Sequence, residues 1–123
     1  MTPDEILYHQ KSAVLELVYK EHSFELSAEY LRVFSPSAEV QGHSPEQAVL
    51  QHGKKDVQIA NLVPQGNYAI KIVFSDGHDS GIYTWQYLFD LGENKEGNWS
   101  NYLARLSAAG KKRESQFIAV GKN

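Results

Sequence analysis

The apolar positions of this chain change their period several times, and each change marks an element. Over Ala13–Tyr19 they alternate, with Leu15, Leu17 and Tyr19 on one face, Glu16 on the other, and Val14 and Val18 flanking. That is the period-two pattern of a half-buried strand. Lys20-Glu21-His22 reads as a turn, and Phe24 and Leu26 continue a second strand. Ser27 offers a side-chain oxygen to the start of a short helix, Ala28–Phe34, with Leu31 and Phe34 on one side. Further on, Asp56–Val63 is a strand with Val57 and Ile59 on one face, Pro64-Gln65-Gly66-Asn67 is a turn, and Tyr68–Phe74 pairs back. There Ile70, Ile72 and Phe74 face one way and Lys71 the other.

The period then lengthens. Thr84 caps a helix whose apolar residues Trp85, Leu88 and Phe89 fall at i, i+3, i+4, and Gly92 ends it. Asn98 caps a last helix with the stripe Trp99, Tyr102, Leu103, Leu106, ended by Gly110. Ser35–Lys55 is the least regular stretch, with Pro36, Gly42, Pro45 and Gly53; Ser44-Pro45-Glu46-Gln47 fits a capping box with proline at the first helical position. No repeat or linker divides the chain. The pattern predicts one domain over 13–109, with a loose start at 1–12 and a loose basic tail at 110–123. Its class is α+β: two hairpins forming a small antiparallel sheet with short helices packed on one face. Ile70, Ile72, Phe74, Trp85, Leu88, Trp99, Leu103 and Leu106 are the expected core.

Composition narrows the function classes. The chain has 123 residues, 41% hydrophobic and 22% charged, enough for one real core and unlike a disordered or membrane protein. No apolar run approaches the ~20 residues of a membrane span, and the opening MTPDEILYHQ has no apolar core of a secretory signal, so the expected compartment is the cytoplasm. There is no cysteine, which removes disulfides, thiolate metal sites and cysteine nucleophiles. The net charge of −3 gives no electrostatic footprint for nucleic acid. Lys111-Lys112-Arg113 follows a helix end and matches its dipole.

The densest chemistry lies in Tyr68–Leu88, YAIKIVFSDGHDSGIYTWQYL. Asp76-Gly77 between apolar-patterned residues predicts a tight hairpin of type I′. That turn presents one imidazole, His78, and two carboxylates, Asp76 and Asp79. His78, Asp79 and Ser80 are residue types of hydrolase triads, but they are consecutive, and on a strand the middle one points away. No G-x-S-x-G elbow, P-loop or G-x-G-x-x-G is present. The preferred reading is a turn whose aspartates satisfy its own amides.

Two phrases, YLRVFSPSAEVQGH (Tyr30–His43) and GNYAIKIVFSDGHDSGIYTWQYLFDLG (Gly66–Gly92), resemble the stand-alone bacterial proteins of unknown function classed as γ-butyrobetaine hydroxylase-like N-terminal domains. The likeness covers roughly Leu15–Leu106. In the full-length hydroxylases this domain precedes an iron(II)- and 2-oxoglutarate-dependent catalytic domain. It holds a structural zinc through cysteines spaced C-x-C-x-x-C and a histidine on a later hairpin. The resemblance places the cysteine positions on Ser35, Ser37 and Val40 and the histidine on His78. With every thiolate gone, that zinc site is not expected to form as such. A related domain in plant P-loop proteins implicated in iron–sulfur assembly suggests an accessory role by analogy.

The resemblance also frames the candidate sites. A dioxygenase facial triad needs His-x-Asp/Glu, but His9, His22, His43, His52 and His78 are followed two residues on by Lys11, Phe24, Pro45, Lys54 and Ser80. If the Ser35–His43 loop lies beside the His78 hairpin, His43, His78 and a carboxylate from Glu39, Asp76 or Asp79 form a candidate zinc or iron site; nearby acids would raise the histidine pKa values. The competing and preferred role is that these histidines hold the loop by hydrogen bonds. Tyr83 and Tyr87 are candidate half-exposed contacts for a partner. The reading is therefore a non-enzymatic accessory or protein-interaction module, monomeric, with an unknown protein partner, no nucleic acid or membrane ligand and no required cofactor. The alternative is a metal-binding protein using His43 and His78.

Overall fold

The structure, a computed structural model, describes residues 2–115. Six strands form two three-stranded antiparallel sheets, ordered β1-β2-β3 and β4-β5-β6. The first contains β1 (Glu5–His9), β2 (Val14–Val18) and β3 (Ser23–Ser27). Its register sets Leu15 between Tyr8 and Leu26, and Leu17 between Ile6 and Phe24, so one face collects the apolar side chains. The second contains β4 (Ile59–Gln65), β5 (Ala69–Phe74) and β6 (Ile82–Thr84). Ile70 sits opposite Pro64 and Tyr83, Ile72 opposite Leu62, and Phe74 opposite Ile59. Pro64 is tolerated because β4 is an edge strand. The two inner faces share one core with α1 (Ala28–Val33) and α3 (Trp85–Glu93); α2 (Ala38–Gln41) and a 3₁₀ turn at Pro45–Gln47 fill the irregular stretch, and α4 (Lys95–Ala109) closes the chain's helical part.

The α+β class is as the sequence predicts, with the strands divided over two sheets. Two caps act as expected: Ser27 Oγ accepts from Tyr30 N at 3.0 Å and Thr84 Oγ1 from Tyr87 N at 3.0 Å. Gly110 ends α4 in the left-handed region, φ 67°.

Four expectations are corrected. The segment 1–12 is not a loose lead-in, because Glu5–His9 pairs along all of β2; Tyr8 fastens it further, donating to Gln58 Oε1 and accepting from Ile59 N, both at 3.0 Å. Gly92 does not stop α3, which runs to Glu93. A Cβ on Gly92 would lie 2.4 Å from the Phe24 ring, so the glycine lets α3 approach β3. Asn98 is not a cap either, since α4 begins at Lys95 after Asn94. Of the tail expected at 110–123, residues 111–113 are docked: Gly53 N donates to Lys112 O at 2.9 Å and Lys55 N to Arg113 O at 3.0 Å. Residues 116–123 lie outside the described residues.

Candidate functional site

The hairpin between β5 and β6 positions the site. Phe74 O accepts from Gly77 N at 3.0 Å, and Phe74 N donates to His78 O at 2.9 Å. Gly77 alone in this turn has positive φ, 92°. The connection is therefore a three-residue loop, Ser75-Asp76-Gly77, with the glycine in the left-handed position, not the expected type I′ pair, which requires positive φ at Asp76 as well. The extra residue turns His78 back towards the segment after α1.

There its ring meets two serines. His78 Nε2 lies 2.8 Å from Ser35 Oγ and 3.3 Å from Ser37 Oγ. Ser35 is fully buried and Ser37 nearly so. Ser35 Oγ also accepts from Ser37 N at 3.3 Å, which leaves its O–H to donate to an unprotonated Nε2. Burial, helped by the Arg32 guanidinium, lowers the His78 pKa below its usual range, against the pull of Glu39 and Asp76. The expectation that neighbouring acids would raise it is thus reversed: the desolvation of the imidazolium outweighs the attraction. A lowered folded value means that neutral His78 supports the fold above the unfolded pKa near 6.5, and that this support is lost as pH falls from there through the folded value.

Gly81 is what lets this contact close. A Cβ there would lie 2.5 Å from Ser35 Oγ, 3.1 Å from Tyr83 Cε1 and 3.3 Å from Pro36 Cδ. Gly81→Ala should cost about 2 kcal/mol, as overpacking does, and displace the His78 ring signals in NMR. A urea midpoint equivalent to less than ~0.5 kcal/mol of change would show that the contact tolerates loosening.

The carboxylates have other partners. Asp76 Oδ2 accepts from Arg32 Nε at 2.9 Å and Lys54 Nζ at 2.7 Å, and Oδ1 accepts from His78 N at 3.1 Å. Burial works to raise its pKa, but the Lys54 and His78 hydrogen bonds and the Arg32 charge win, holding it at about 2. Arg32, itself buried, also donates to Gln51 Oε1 at 2.9 Å. Glu39 accepts a hydrogen bond from Ser80 Oγ, which lowers its pKa. Asp79 is exposed. His43 is exposed and meets Gln47 Oε1 only through its backbone N, at 3.1 Å. Among the described residues no three His, Asp or Glu side chains converge as a metal site, so the structure brings together His78, Ser35 and Ser37 but not the set His43, His78, Glu39, Asp76 and Asp79.

Tyr83 is placed differently from its expected half-exposed role, and Tyr87 keeps partial exposure while its hydroxyl is turned inward. Tyr83 is fully buried and donates to Leu31 O at 2.6 Å; Tyr87 is half-buried and donates to Phe34 O at 2.6 Å. Burial raises both hydroxyls, Tyr87 to about 12. They satisfy carbonyls at the C-terminal end of α1, which the helix itself leaves open, and so fix the Ser35 segment in place. Strand alternation could have revealed this: if Ile70 faces the core, its partner Tyr83 does too, and Ile82 faces out. The Arg32–Asp76–Lys54 cluster had no such local signal.

A family model for the N-terminal domain of gamma-butyrobetaine hydroxylase-like proteins matches residues 6–89. The chain belongs to this family. Two protein structures solved by NMR in solution are similar to it over nearly their whole lengths. One has 48% identity and a TM-score of 0.82, covering 98% of this chain and 96% of the other. The second has 46% identity and a TM-score of 0.79, covering 99% and 92%. A crystal structure of a protein of unknown function from Acidithiobacillus ferrooxidans, assigned to the DUF971 family, has 37% identity and a TM-score of 0.61 over 74% of this chain and 92% of that one. No curated protein matches. In this member of the hydroxylase-like N-terminal family, Ser35 and Ser37, two of the three positions that the resemblance was expected to set against cysteines, touch His78 directly. The third, Val40, is buried apolar surface in α2.

Proposed function

We propose that this domain is a non-enzymatic accessory module that acts by contacting another protein, and that the family's zinc position has become a hydrogen-bonded latch. The observation that carries this reading is the pairing of His78 with buried Ser35 and Ser37. It ties the β5–β6 hairpin to the end of α1 through side chains that also suit nucleophilic chemistry, but Ser35 is closed to any substrate. Membership in a family of unknown function is compatible with such a role, and no helix among the described residues is long and apolar enough to cross a membrane.

The contact surface that fits is the outer face of the second sheet. Val63, Lys71 and Ile82 lie side by side across it; Ile82 is 42% exposed, and Tyr68, which precedes β5, is 60% exposed. In-cell cross-linking should give heterologous products that disappear in the double variant Tyr68→Asp/Ile82→Lys while its thermal midpoint stays near wild type. Products that persist in the variant would remove this surface from the reading. The isolated chain, supplied with iron(II), ascorbate, 2-oxoglutarate and γ-butyrobetaine, should form no succinate above background; succinate formation would overturn the non-enzymatic reading. Stoichiometric zinc or iron in protein purified without an affinity tag would replace it with a metal-binding reading.

A further inference from the structure

The two sheets end in the edge strands β1, β3, β4 and β6, and three of these edges are closed to further pairing. On β5, Ile72 N and Phe74 N bond towards β6 and its hairpin, so Lys71 and Val73 bond back to Val63 and Asn61. The outward backbone groups of β4 therefore belong to Leu62 and Pro64. Pro64 has no N–H, Leu62 N donates to Asn61 Oδ1 at 2.9 Å, and Pro64 O accepts from Gln65 Nε2 at 3.2 Å. On β3, the outward Glu25 O accepts from Lys95 Nζ at 2.8 Å. β6 is only three residues long and leads straight into α3. Blocked and shortened edges of this kind keep sheets from pairing with other chains.

β1 is the exception. Tyr19 N bonds to His22 O and Ala28 N to Ala13 O, so the odd-numbered residues of β2 bond towards β3. Val14, Glu16 and Val18 then bond towards β1, where they meet His9, Leu7 and Glu5. This leaves the backbone N–H and C=O groups of Ile6 and Tyr8 turned outward. Among the described residues these groups have no hydrogen-bond partner. No proline, lysine or register shift interrupts Glu5–His9. Leu7, on the outer face of the strand, is 41% exposed.

We infer that β1 is a dimerisation edge, which pairs antiparallel with β1 of a second copy of this chain about a two-fold axis at Leu7. The strand EILYH is complementary to itself in that alignment. Ile6 of each copy meets Tyr8 of the other as a hydrogen-bonded pair, so the outward N–H and C=O groups all find partners. The Leu7 side chains meet across the axis as the closer, non-hydrogen-bonded pair. On the same face, Glu5 of each copy lies opposite His9 of the other, carboxylate against imidazole. His9, whose Nε2 lies 2.9 Å from Glu16 Oε1, keeps its second ring nitrogen for that contact. Slipping the alignment by two residues sets Leu7 against Glu5 or His9 instead, so the apolar and polar matches select one register. The sequence suggested a monomer; this edge makes the working form a dimer. The outer face of the second sheet plays no part in it, so the two surfaces are tested separately.

Sedimentation equilibrium of the full chain should show the mass rising from one copy to two as the protein is concentrated. Leu7→Lys places two cations together on the axis and should raise the dissociation constant roughly tenfold or more. Its circular dichroism should match the wild type, since the side chain faces solvent. The chain has no cysteine, so introduced thiols report the register. In air, Leu7→Cys should form a disulfide-linked dimer roughly tenfold faster than Val49→Cys, because a non-hydrogen-bonded pair brings its Cα atoms to about 4.5 Å. Val49, at 54% exposure, is a control outside the strand. Glu5→Cys alone should link slowly, being about 13 Å from its own counterpart, but quickly when mixed with His9→Cys. The inference fails if the mass stays that of one copy at every concentration, if Leu7→Lys dimerises like the wild type, or if Leu7→Cys links no faster than Val49→Cys. A dimer lost in Tyr68→Asp/Ile82→Lys would move the contact to the second sheet and overturn it. If the pure chain stays single while Leu7→Lys removes cross-links to other proteins in cells, the edge takes another protein's strand and the second copy is ruled out.

Discussion

Replacing Ser35, Ser37 and Val40 together with cysteine should turn this protein into one that binds a single zinc ion. The geometry makes the result a direct test of the inferred zinc position. A tetrahedral zinc with a nitrogen at about 2.0 Å and sulfurs at about 2.3 Å keeps its ligands roughly 3.5 Å apart. Ser35 Oγ and Ser37 Oγ already lie 2.8 and 3.3 Å from His78 Nε2, so only a small expansion admits the ion. Burial shifts His78 towards the neutral form, the form a metal needs. The loop is held independently by the Tyr83 and Tyr87 hydroxyls on α1, so binding need not order it from scratch. At a zinc concentration a thousandfold above Kd the ion stabilises the fold by about 4 kcal/mol, a rise in thermal midpoint on the order of 10–20 °C for a domain of this size. Chelation should reverse the rise, and adding His78→Ala should abolish most of it. The parent protein should melt at the same temperature with and without EDTA. A triple variant that folds but holds no zinc would mean that Val40, or the path to it, does not point at the site.

How much of this was legible in the sequence depended on the range of the signal. Local chemistry read well: Ser27, Thr84 and Gly110 cap the helices that the pattern assigned to them, and the alternation in β2 and β5 gave the core faces. The meeting of the Ser35 segment with His78, 43 residues away, came from the resemblance alone. Elements with weak amphipathic contrast were missed. β1 offers only Ile6 and Tyr8 to the core, and its flanking Glu5 and His9 made it look like solvent-facing chain. Lys95-Glu96-Gly97 looked like a loop, yet it is the first turn of α4, where the cost of a glycine, about 1 kcal/mol, is carried by the packing of Trp99, Tyr102 and Leu106. Gly92 misled for the opposite reason, being selected by the Phe24 ring that touches it. Charge pairing was the least visible: Asp76 joins Arg32 and Lys54 across 44 and 22 residues, and no periodicity encodes such a pair.

The same blindness hid the pair with the largest expected effect on stability outside the core. Arg113 was read as part of a solvated basic run, but its guanidinium makes two hydrogen bonds to Glu29, at 2.7 and 2.9 Å. Glu29 is only 5% exposed. A carboxylate buried on α1 loses its water, and Arg113 is the cation that replaces it. Arg113→Ala therefore removes more than an ion pair: it strands an uncompensated charge and uncovers one face of Trp99. Removing one partner of a fully buried pair costs about 3–5 kcal/mol. The Arg113 side chain is 34% exposed, so water can partly take its place and the expected loss is nearer 2–3 kcal/mol. Urea unfolding of Arg113→Ala should show it as a lower midpoint. Glu29→Gln in the same background should recover part of the loss, because the stranded charge, not the missing contact, is the larger cost. If the double variant is no more stable than Arg113→Ala alone, the destabilisation comes from lost packing on Trp99. A midpoint unchanged to within ~0.5 kcal/mol would return residues 111–113 to the status of a dispensable surface segment.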